Sequence, residues 1–282
     1  MGVLNFGEKW FRIPDIAKAE RRGASLGMLL WRLDKKHRTR TIANINLAFP
    51  EMPVAEQANM AQEMFRHFGR VVADFLRSPL VKQDELRAQT EVQGIEHLQS
   101  VRDQGQGVLL LSAHLGNFER MCHYISLQDI KVSGIARDAN ESAITDKVNA
   151  LRGQYMDILS RGNAARETIK RLKANELVVI LPDQNADEAY LPFFGKPAGT
   201  VLGPAVLHLR TKAPILPCCH LRTGPGKYKH VYLEPLRALP EEKPEELMAR
   251  VNLAIEEMVR LAPEQYLWMH DRWKYARRRG LL

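Results

Sequence analysis

Cysteine is scarce in this sequence of 282 residues, which contains only Cys122, Cys218 and Cys219. A bridge between the two adjacent cysteines would be strained, so the sequence lacks the disulfide framework that holds many small secreted domains together. Cys218 and Cys219 stand in an apolar, strand-like run. The pattern therefore predicts buried thiols and a reducing compartment.

Long apolar runs are absent as well, because no stretch of about 18 apolar residues occurs. We therefore expect no transmembrane helix. Residues 1–20 carry charges throughout and show no apolar core, which predicts no secretory signal. Internal repeats and low-complexity segments are also missing. With 45% hydrophobic and 26% charged residues, the composition is typical of an ordinary globular protein.

Acidic residues are outnumbered, with 33 Asp and Glu against 41 Lys and Arg, and the formal net charge is +8. This imbalance predicts an anionic partner, such as nucleic acid, anionic lipid headgroups, a phosphorylated substrate or an acidic carrier protein. Zinc-finger spacing, the aromatic motif of RNA-recognition domains and a clear helix-turn-helix signal are all missing. We therefore expect no nucleic-acid partner.

Apolar periodicity predicts helices in the first 80 residues and a different organisation after them. Four leucines share one face of the first predicted helix, namely Leu26, Leu29, Leu30 and Leu33. A second helix is predicted for residues 53–77. We interpret residues 1–80 as a helical N-terminal region that belongs to the same single domain as the rest of the chain.

From about residue 92, short apolar runs alternate with helical patterns. The predicted strands are 107–113, 132–136, 177–181, 215–220 and 230–233, and the predicted helices are 141–158, 164–174 and 244–261. This alternation predicts the α/β class, with a mixed, mainly parallel sheet covered by helices and an α/β core over residues 81–282.

One histidine and one glutamate are the most informative residues. His114 follows a predicted strand, and Glu119 comes five residues later with Gly116 and Asn117 between them. On one continuous helix the two side chains would point about 140° apart. They meet if Gly116 permits a turn and Asn117 caps a helix whose first turn holds Glu119. The imidazole would then be oriented as a general base, although the spacing alone also fits a structural histidine.

An enzymic nucleophile is not obvious beside this pair. The G-x-S-x-G turn of serine hydrolases is missing, and only Ser112 lies close to His114 on the same strand face. The simpler interpretation is that a substrate hydroxyl attacks while His114 takes its proton. Asp183 also follows a predicted strand. Because ligands bind at the carboxyl ends of strands in open α/β sheets, His114 and Asp183 are expected to share one crevice.

Five segments together resemble the bacterial lipid A late acyltransferases, the lauroyl and myristoyl transferases of the wider lysophospholipid acyltransferase group. The segments occur in the family's order, and the one that contains His114 and Glu119 is its H-x₄-D/E motif in the glutamate form. They are residues 44–50 (NINLAFP), 114–119 (HLGNFE), 181–185 (LPDQN), 193–200 (FFGKPAGT) and 268–274 (WMHDRWK).

The resemblance implies a glycerol-3-phosphate acyltransferase-like fold and transfer of a fatty acyl group from an acyl carrier protein or CoA thioester to a hydroxyl of a lipid acceptor. The acceptor it favours is a lipid A precursor. His114 would be the general base and Glu119 would orient it, with no metal and no cofactor. Acyltransfer to another lysophospholipid, glycolipid or aminolipid, a thioesterase-type hydrolase and a non-enzymic basic binding protein remain as alternatives.

Further residues are candidates for binding the substrate. Arg137 lies just past one predicted strand, and Asp183 and Gln184 follow another, whereas Thr200 belongs to a predicted loop over residues 193–200 that would help to line an acyl pocket. Arginine suits a phosphate or sugar headgroup, and Asp and Gln suit polar substrate groups. Each also has a structural alternative, as a solvated side chain, a turn cap or part of a packed loop. The candidates are Asn117, Arg137, Arg152, Asp183, Gln184 and Thr200.

Many members of the resembled family carry an N-terminal membrane anchor, whereas here apolar residues such as Phe11, Ile13 and Ile16 alternate with basic ones. This pattern favours peripheral, amphipathic attachment to an anionic membrane surface, which we expect to be the cytoplasmic face of the bacterial inner membrane. Trp268 and Trp273 fit either a membrane interface or the core. Basic C-terminal residues from Arg272 to Arg279 fit contact with lipid or carrier protein, or a solvated tail.

Overall fold

The computed structural model describes residues 9–128, 130–136, 142–160 and 162–282. The part of the chain before the first strand is helical. Its helices are α1 (Ile16–Leu33), α2 (Lys35–Ala48), α3 (Val54–Arg77) and α4 (Gln83–Ala88). Carboxylates begin two of them, because Asp15 accepts from the backbone N–H of Lys18 and Asp34 from that of His37, each at 3.0 Å. Such caps satisfy backbone donors that the start of a helix leaves without partners.

The rest of the described chain alternates strands with helices. The strands are β1 (Thr90–Gln93), β2 (Val108–Leu111), β3 (Val132–Ala136), β4 (Asp157–Ser160), β5 (Leu177–Ile180), β6 (Ala189–Phe193), β7 (Lys196–Thr200), β8 (Ile215–Gly224) and β9 (Lys227–Tyr232). The helices are α5 (Ile95–Arg102), α6 (Phe118–Ile125), α7 (Ser142–Arg152), α8 (Ala164–Lys173), α9 (Gly203–Thr211), α10 (Pro244–Leu261) and α11 (Lys274–Arg278).

The main sheet has the strand order β1-β9-β8-β2-β5-β3-β4, and β6 pairs with β7 in a separate hairpin. Neighbouring strands of the main sheet run parallel, except that β8 and β9 are antiparallel. The predicted α/β class with a mixed, mainly parallel sheet is therefore confirmed.

Strand β2 lies in the middle of this sheet and is buried on both faces. Leu109 and Leu111 belong to one core cluster, and Val108 and Leu110 belong to a second cluster on the opposite face. A strand covered by helices on both sides needs apolar residues at every position, which explains its continuous apolar run. The same burial holds its carboxyl end, and whatever follows it, in a fixed place.

Two predicted elements differ from the structure. The helix expected over 141–158 ends at Arg152, and β4 begins at Asp157 because Ile158 and its neighbours pair with β3 and form the edge strand of the sheet. The segment 193–200, expected to be a loop, contributes to a hairpin. Phe194 and Gly195 form its two-residue turn with φ values of 49° and 69°. Positive φ at both positions matches the twist of the flanking strands.

Candidate active site

His114 and Asp183 meet at the carboxyl ends of two adjacent parallel strands. In the register of β2 and β5, Leu111 lies opposite Ile180, and each functional residue comes three positions after the last residue of its strand. Asp183 Oδ1 accepts from His114 Nδ1 at 2.8 Å, and Oδ2 accepts from the His114 backbone N–H at 3.0 Å. The expectation that both residues lie together at the carboxyl ends of the strands is confirmed, with His114 lining the cavity and Asp183 buried behind it.

The hydrogen-bond partner of His114 is therefore Asp183, and the expectation that Glu119 would orient the imidazole is wrong on this point. Glu119 Oε2 accepts from Arg152 Nε at 3.0 Å, and its second oxygen accepts from a terminal nitrogen of the same guanidinium. A bidentate pairing of this kind directs a carboxylate firmly toward its partner. Glu119 lies in the first turn of α6, as expected, but its side chain reaches Arg152 at the end of α7 instead of His114.

Opposing effects set the ionisation of the His114–Asp183 pair. Burial by itself would lower the pKa of His114, but the charge of Asp183 and its hydrogen bond outweigh burial and raise that pKa above its usual value. Burial would likewise raise the pKa of Asp183, but His114 outweighs this effect and the pKa of Asp183 is lowered. Asp183 is thus a carboxylate that accepts the Nδ1 proton, which leaves the lone pair of neutral His114 on Nε2.

The backbone around His114 is held by two distant parts of the chain. The N–H of Leu267 donates to the His114 carbonyl at 3.0 Å, and the N–H of Gly116 donates to Gln265 at 3.1 Å. On the other side, the N–H of Asn117 donates to His220 of β8 at 2.8 Å. Gly116 has a φ of 59°, and a Cβ there would lie 2.3 Å from the His220 carbonyl oxygen. The predicted roles of Gly116 in the turn and of Asn117 as helix cap are both present.

A cavity of about 460 Å³ opens beside His114. Its polar wall contains Gln184, whose amide nitrogen lies 3.4 Å from His114 Nε2, together with the Glu119–Arg152 pair. Most of the remaining lining is apolar, comprising Phe118, Cys122, Gly134, Ile135, Met156, Val179, Ile180, Leu181, Pro182, Val201, Gly203 and Pro204, with Glu188 also present. The cavity thus offers a basic nitrogen, a charged pair in the same wall and a largely apolar remainder.

The sequence matches the family model for bacterial lipid A biosynthesis acyltransferases over residues 8–275. The chain belongs to this family. Its relatives include the lipid A biosynthesis lauroyltransferase of Escherichia coli (strain K12), which is 29% identical over 262 residues, or 90% of this chain and 84% of that protein. The lipid A biosynthesis palmitoleoyltransferase of the same organism is 23% identical over 257 residues, or 89% and 83%. The chain is accordingly an acyltransferase rather than a non-enzymic binding protein.

A solved structure is also similar in part, namely the 1-acyl-sn-glycerophosphate (LPA) acyltransferase PlsC from Thermotoga maritima. It matches with a TM-score of 0.42 and 14% identity, covering 80% of this chain and 98% of that chain. A likeness at that score does not establish a shared fold. None of the described helices has both the length and the apolar character needed to cross a bilayer.

Only some of the other predicted site residues line the cavity. Arg152 and Gln184 line the cavity, and Asp183 lies behind His114. Asn117 is buried away from the cavity, where its amide donates to Asp74 at 2.9 Å and its oxygen accepts from the Arg120 N–H. Because both ends of its side chain are already hydrogen-bonded, Asn117 stabilises the turn and does not contact the ligand space.

Thr200 is also buried outside the cavity. Its hydroxyl donates to Ala198 and accepts from Arg272 at 3.0 Å. The guanidinium of Arg272 further contacts the Gly199 carbonyl and stacks over the Phe193 ring. The hairpin of β6 and β7 therefore packs against residues 268–274, which we call the C-terminal signature. Neither segment lines the cavity, so their contacts stabilise the fold around the site. Arg137, the remaining candidate, lies outside the described residues.

The C-terminal signature packs next to the segment that carries Asp183 and Gln184, on the side away from the cavity. His270 Nε2 accepts from the backbone N–H of Asn185 at 2.9 Å, one residue after Gln184. The amide of Asn44 donates to the carbonyls of Trp268 and His270, each at 2.8 Å. Because Trp268, Trp273 and Arg272 are fully or almost fully buried, the core alternative holds for both tryptophans, and Arg272 is not a surface contact for lipid or carrier protein.

Sequence reasoning missed the buried support beneath the turn and part of the cavity wall. Asp74 of α3 accepts from Asn117, from Arg120 at 3.2 Å and from Arg77 at 3.3 Å. An aspartate inside an apolar helical pattern was the available signal, since such residues are seldom buried without partners. For cavity residues such as Met156 and Glu188, no local pattern in the sequence distinguishes them from their neighbours.

Proposed function

We propose that this acyltransferase transfers a fatty acyl group from a thioester to a hydroxyl of a lipid acceptor, with a lipid A precursor as the favoured acceptor. The observation that carries the proposal is the pairing of His114 Nδ1 with buried Asp183, 2.8 Å away, at the edge of a largely apolar cavity. This pairing presents the basic Nε2 to the ligand space. The names of the relatives support the choice of acceptor.

His114 acts as the general base. Its Nε2 takes the proton of the acceptor hydroxyl while the hydroxyl oxygen attacks the thioester carbonyl carbon. The tetrahedral intermediate then loses the thiolate as its C–S bond breaks, and the imidazolium of His114 returns the proton to the sulfur. Asp183 holds the ring and stabilises the imidazolium that forms in between. The steps balance without a metal, a cofactor or an acyl-enzyme.

In this proposal, the polar groups of the cavity bind the acceptor and its apolar lining holds the acyl chain. Glu119 and Arg152 hold each other at the polar wall, where Arg152 can bind an anionic or sugar group of the acceptor. Gln184, 3.4 Å from Nε2, is placed to contact the reacting hydroxyl. The apolar lining suits an acyl chain. Acyl carrier protein or acyl-CoA supplies the thioester, and we place the enzyme peripherally on the cytoplasmic face of the inner membrane.

The test is an acyl-transfer assay with labelled acyl carrier protein and acyl-CoA thioesters and a panel of lipid hydroxyl acceptors that includes a lipid A precursor. We expect His114→Ala to lower the rate by about 10²- to 10⁴-fold, because general-base catalysis contributes that much. His37→Ala, which changes a partly exposed histidine on α2, is the matched control. Undiminished transfer by His114→Ala would remove the proposed base, and free fatty acid without acylated lipid would show a hydrolase instead.

A further inference from the structure

The C-terminal half of α1 turns large apolar side chains toward solvent. Leu29, Leu30 and Leu33 are 49%, 47% and 73% exposed, and Leu26 is half-buried next to them. At about 100° per residue, these four positions cover about 100° of the helix surface. We call them the leucine face. A contiguous apolar patch on a globular protein marks an interaction site more often than isolated exposed leucines do.

The leucine face is exposed because α1 makes its core contact with small residues. A Cβ on Gly23 would lie 2.3 Å from the Gly69 carbonyl oxygen, and one on Gly27 would lie 2.0 Å from the Phe65 carbonyl oxygen, both on α3. The two helices therefore pack backbone against backbone along this side of α1. None of the four leucines belongs to the core clusters of the described residues or packs against them, so the folding of this part of the chain does not account for their exposure.

The exposed charged residues next to the leucine face in the sequence are basic. The acidic residues between positions 16 and 40 are Glu20 and Asp34. Glu20 is buried and bonded to Arg222, and Asp34 caps α2, so each already has a structural partner. The exposed basic residues of the same stretch are Lys18, Arg21, Arg32, Lys35 and Lys36. An apolar stripe bordered by cations matches the chemistry of an anionic bilayer surface, with hydrocarbon below and phosphate around it.

We propose that the leucine face of α1 docks the enzyme onto an anionic lipid bilayer. The leucines enter the boundary between headgroups and acyl chains, and the neighbouring lysines and arginines contact lipid phosphates. This inference deepens the proposed function, because it names the surface that brings the enzyme to a membrane-borne acceptor. It also moves the contact along the chain from the segment expected from the sequence, since Phe11 is buried and Ile13 and Ile16 are partly buried.

The docking helix is connected to the cavity through α3. The ring of Phe68 lies 6.4 Å from that of Phe118, and the guanidinium of Arg152 lies 5.8 Å from the ring of Phe75. Phe118 and Arg152 both line the cavity, and Phe68 and Phe75 belong to the helix on which α1 packs. One helix therefore separates the leucine face from the cavity wall, so a docked enzyme keeps its site close to the bilayer.

Flotation of the full chain with lipid vesicles tests the proposal. Vesicles of phosphatidylcholine alone are compared with vesicles that also contain phosphatidylglycerol. We expect the wild type to float with the anionic vesicles, less so at high salt, and the triple variant Leu29→Gln, Leu30→Gln, Leu33→Gln to bind at least about tenfold more weakly. The matched control replaces three leucines of similar exposure elsewhere, Leu239, Leu253 and Leu261, by Gln and should float like the wild type.

Equal flotation of the triple variant and the wild type would overturn the docking surface, as would a wild type that floats with neither kind of vesicle. A wild-type dimer that becomes a monomer in the triple variant, measured by light scattering, would show that a second copy covers the face instead. Transfer to a detergent-dispersed acceptor should be unchanged in the triple variant. Loss of transfer in His114→Ala is a separate result, so either proposal can fail without the other.

Discussion

At the scale of single residues, one buried carboxylate sets the geometry of the candidate base. Asp183 is only 3% exposed and uses both oxygens on the same residue, one on the His114 ring and one on its backbone N–H. Two bonds from one rigid group fix both the position and the tautomer of the imidazole. In a site with little water, such charge-assisted bonds are stronger than they would be at the surface.

The pair makes a prediction for Asp183→Asn. Neutral His114 is the active form, so the rate should rise with pH through the pKa of His114, which Asp183 holds above its usual value. Removing the carboxylate lets burial dominate and lowers that pKa, which moves the acidic limb of the pH–rate profile to lower pH. We also expect kcat to fall by about 10²- to 10⁴-fold, because the imidazolium loses its support. An unmoved limb in the profile would contradict this assignment.

Glu119→Gln should behave differently, because Glu119 pairs with Arg152 and makes no hydrogen bond to His114. The amide leaves Arg152 without its bidentate partner at the cavity wall. We expect KM for the lipid acceptor to rise and the acidic limb of the profile to move less than in Asp183→Asn. Steady-state kinetics over a pH series measure both effects. A shift of the limb as large as that of Asp183→Asn would return the orienting role to Glu119.

At the scale of elements, the packing of α1 on α3 depends on glycine. A Cβ on Gly69 would lie 2.0 Å from the carbonyl oxygen of Gly23, and backbone atoms cannot yield as a flexible side chain would. The close approach lets α1 lie flat on the helix that carries Asp74 and Phe68. The position of α1, and with it the direction of its leucines, is thus set by the absence of side chains.

Gly69→Ala should therefore separate α1 from α3 and lower the free energy of unfolding by about 1–3 kcal/mol, the usual cost of overpacking. Gly203→Ala is the matched control, because this glycine is also helical and has no atom within 4 Å of the added Cβ. Urea unfolding followed by circular dichroism measures the difference. Equal midpoints for the two variants would show that the contact between the helices relaxes freely.

At the scale of the whole molecule, several histidines are held in the neutral form because they are buried, as His67 and His230 are, or partly buried, as His270 is. Burial lowers the pKa of His67 to about 4, that of His230 to about 3 and that of His270 to about 4. They lie on α3, on β9 and in the C-terminal signature, so the effect is spread over the molecule. His114 works in the opposite direction, because its pKa is raised.

The protein should consequently lose stability in mild acid. Below about pH 6.5 these histidines bind protons in the unfolded chain. In the folded protein they stay neutral until the pH reaches their lower pKa values, so unfolding becomes easier as the pH falls. Each such histidine contributes a slope of about 1.4 kcal/mol per pH unit in that window. Urea unfolding at several pH values measures the slope, and His67→Gln should reduce it by about one proton. A free energy of unfolding that stays constant across the window would contradict the neutral burial of these groups.

Much of this molecule follows from local patterns in its sequence. The apolar run before His114 and the turn residues Gly116 and Asn117 predict a strand, a turn and a helix, because backbone preferences act over a few residues. The strand that ends before Asp183 follows in the same way. Even the closeness of His114 and Asp183 could be predicted, since both follow strands of one mainly parallel sheet.

Only the tertiary structure decided which carboxylate reaches the imidazole. Glu119 is five residues from His114 along the chain, yet the pairing of β2 with β5 brings Asp183 to 2.8 Å, and Arg152 takes up Glu119. The periodicity of the α1 leucines shows that they share one face but not whether that face points to the core or to solvent. Its outward direction depends on the contact between Gly23 and Gly69. Strand register and helix contacts join residues far apart in sequence, so they arise only when the whole chain packs.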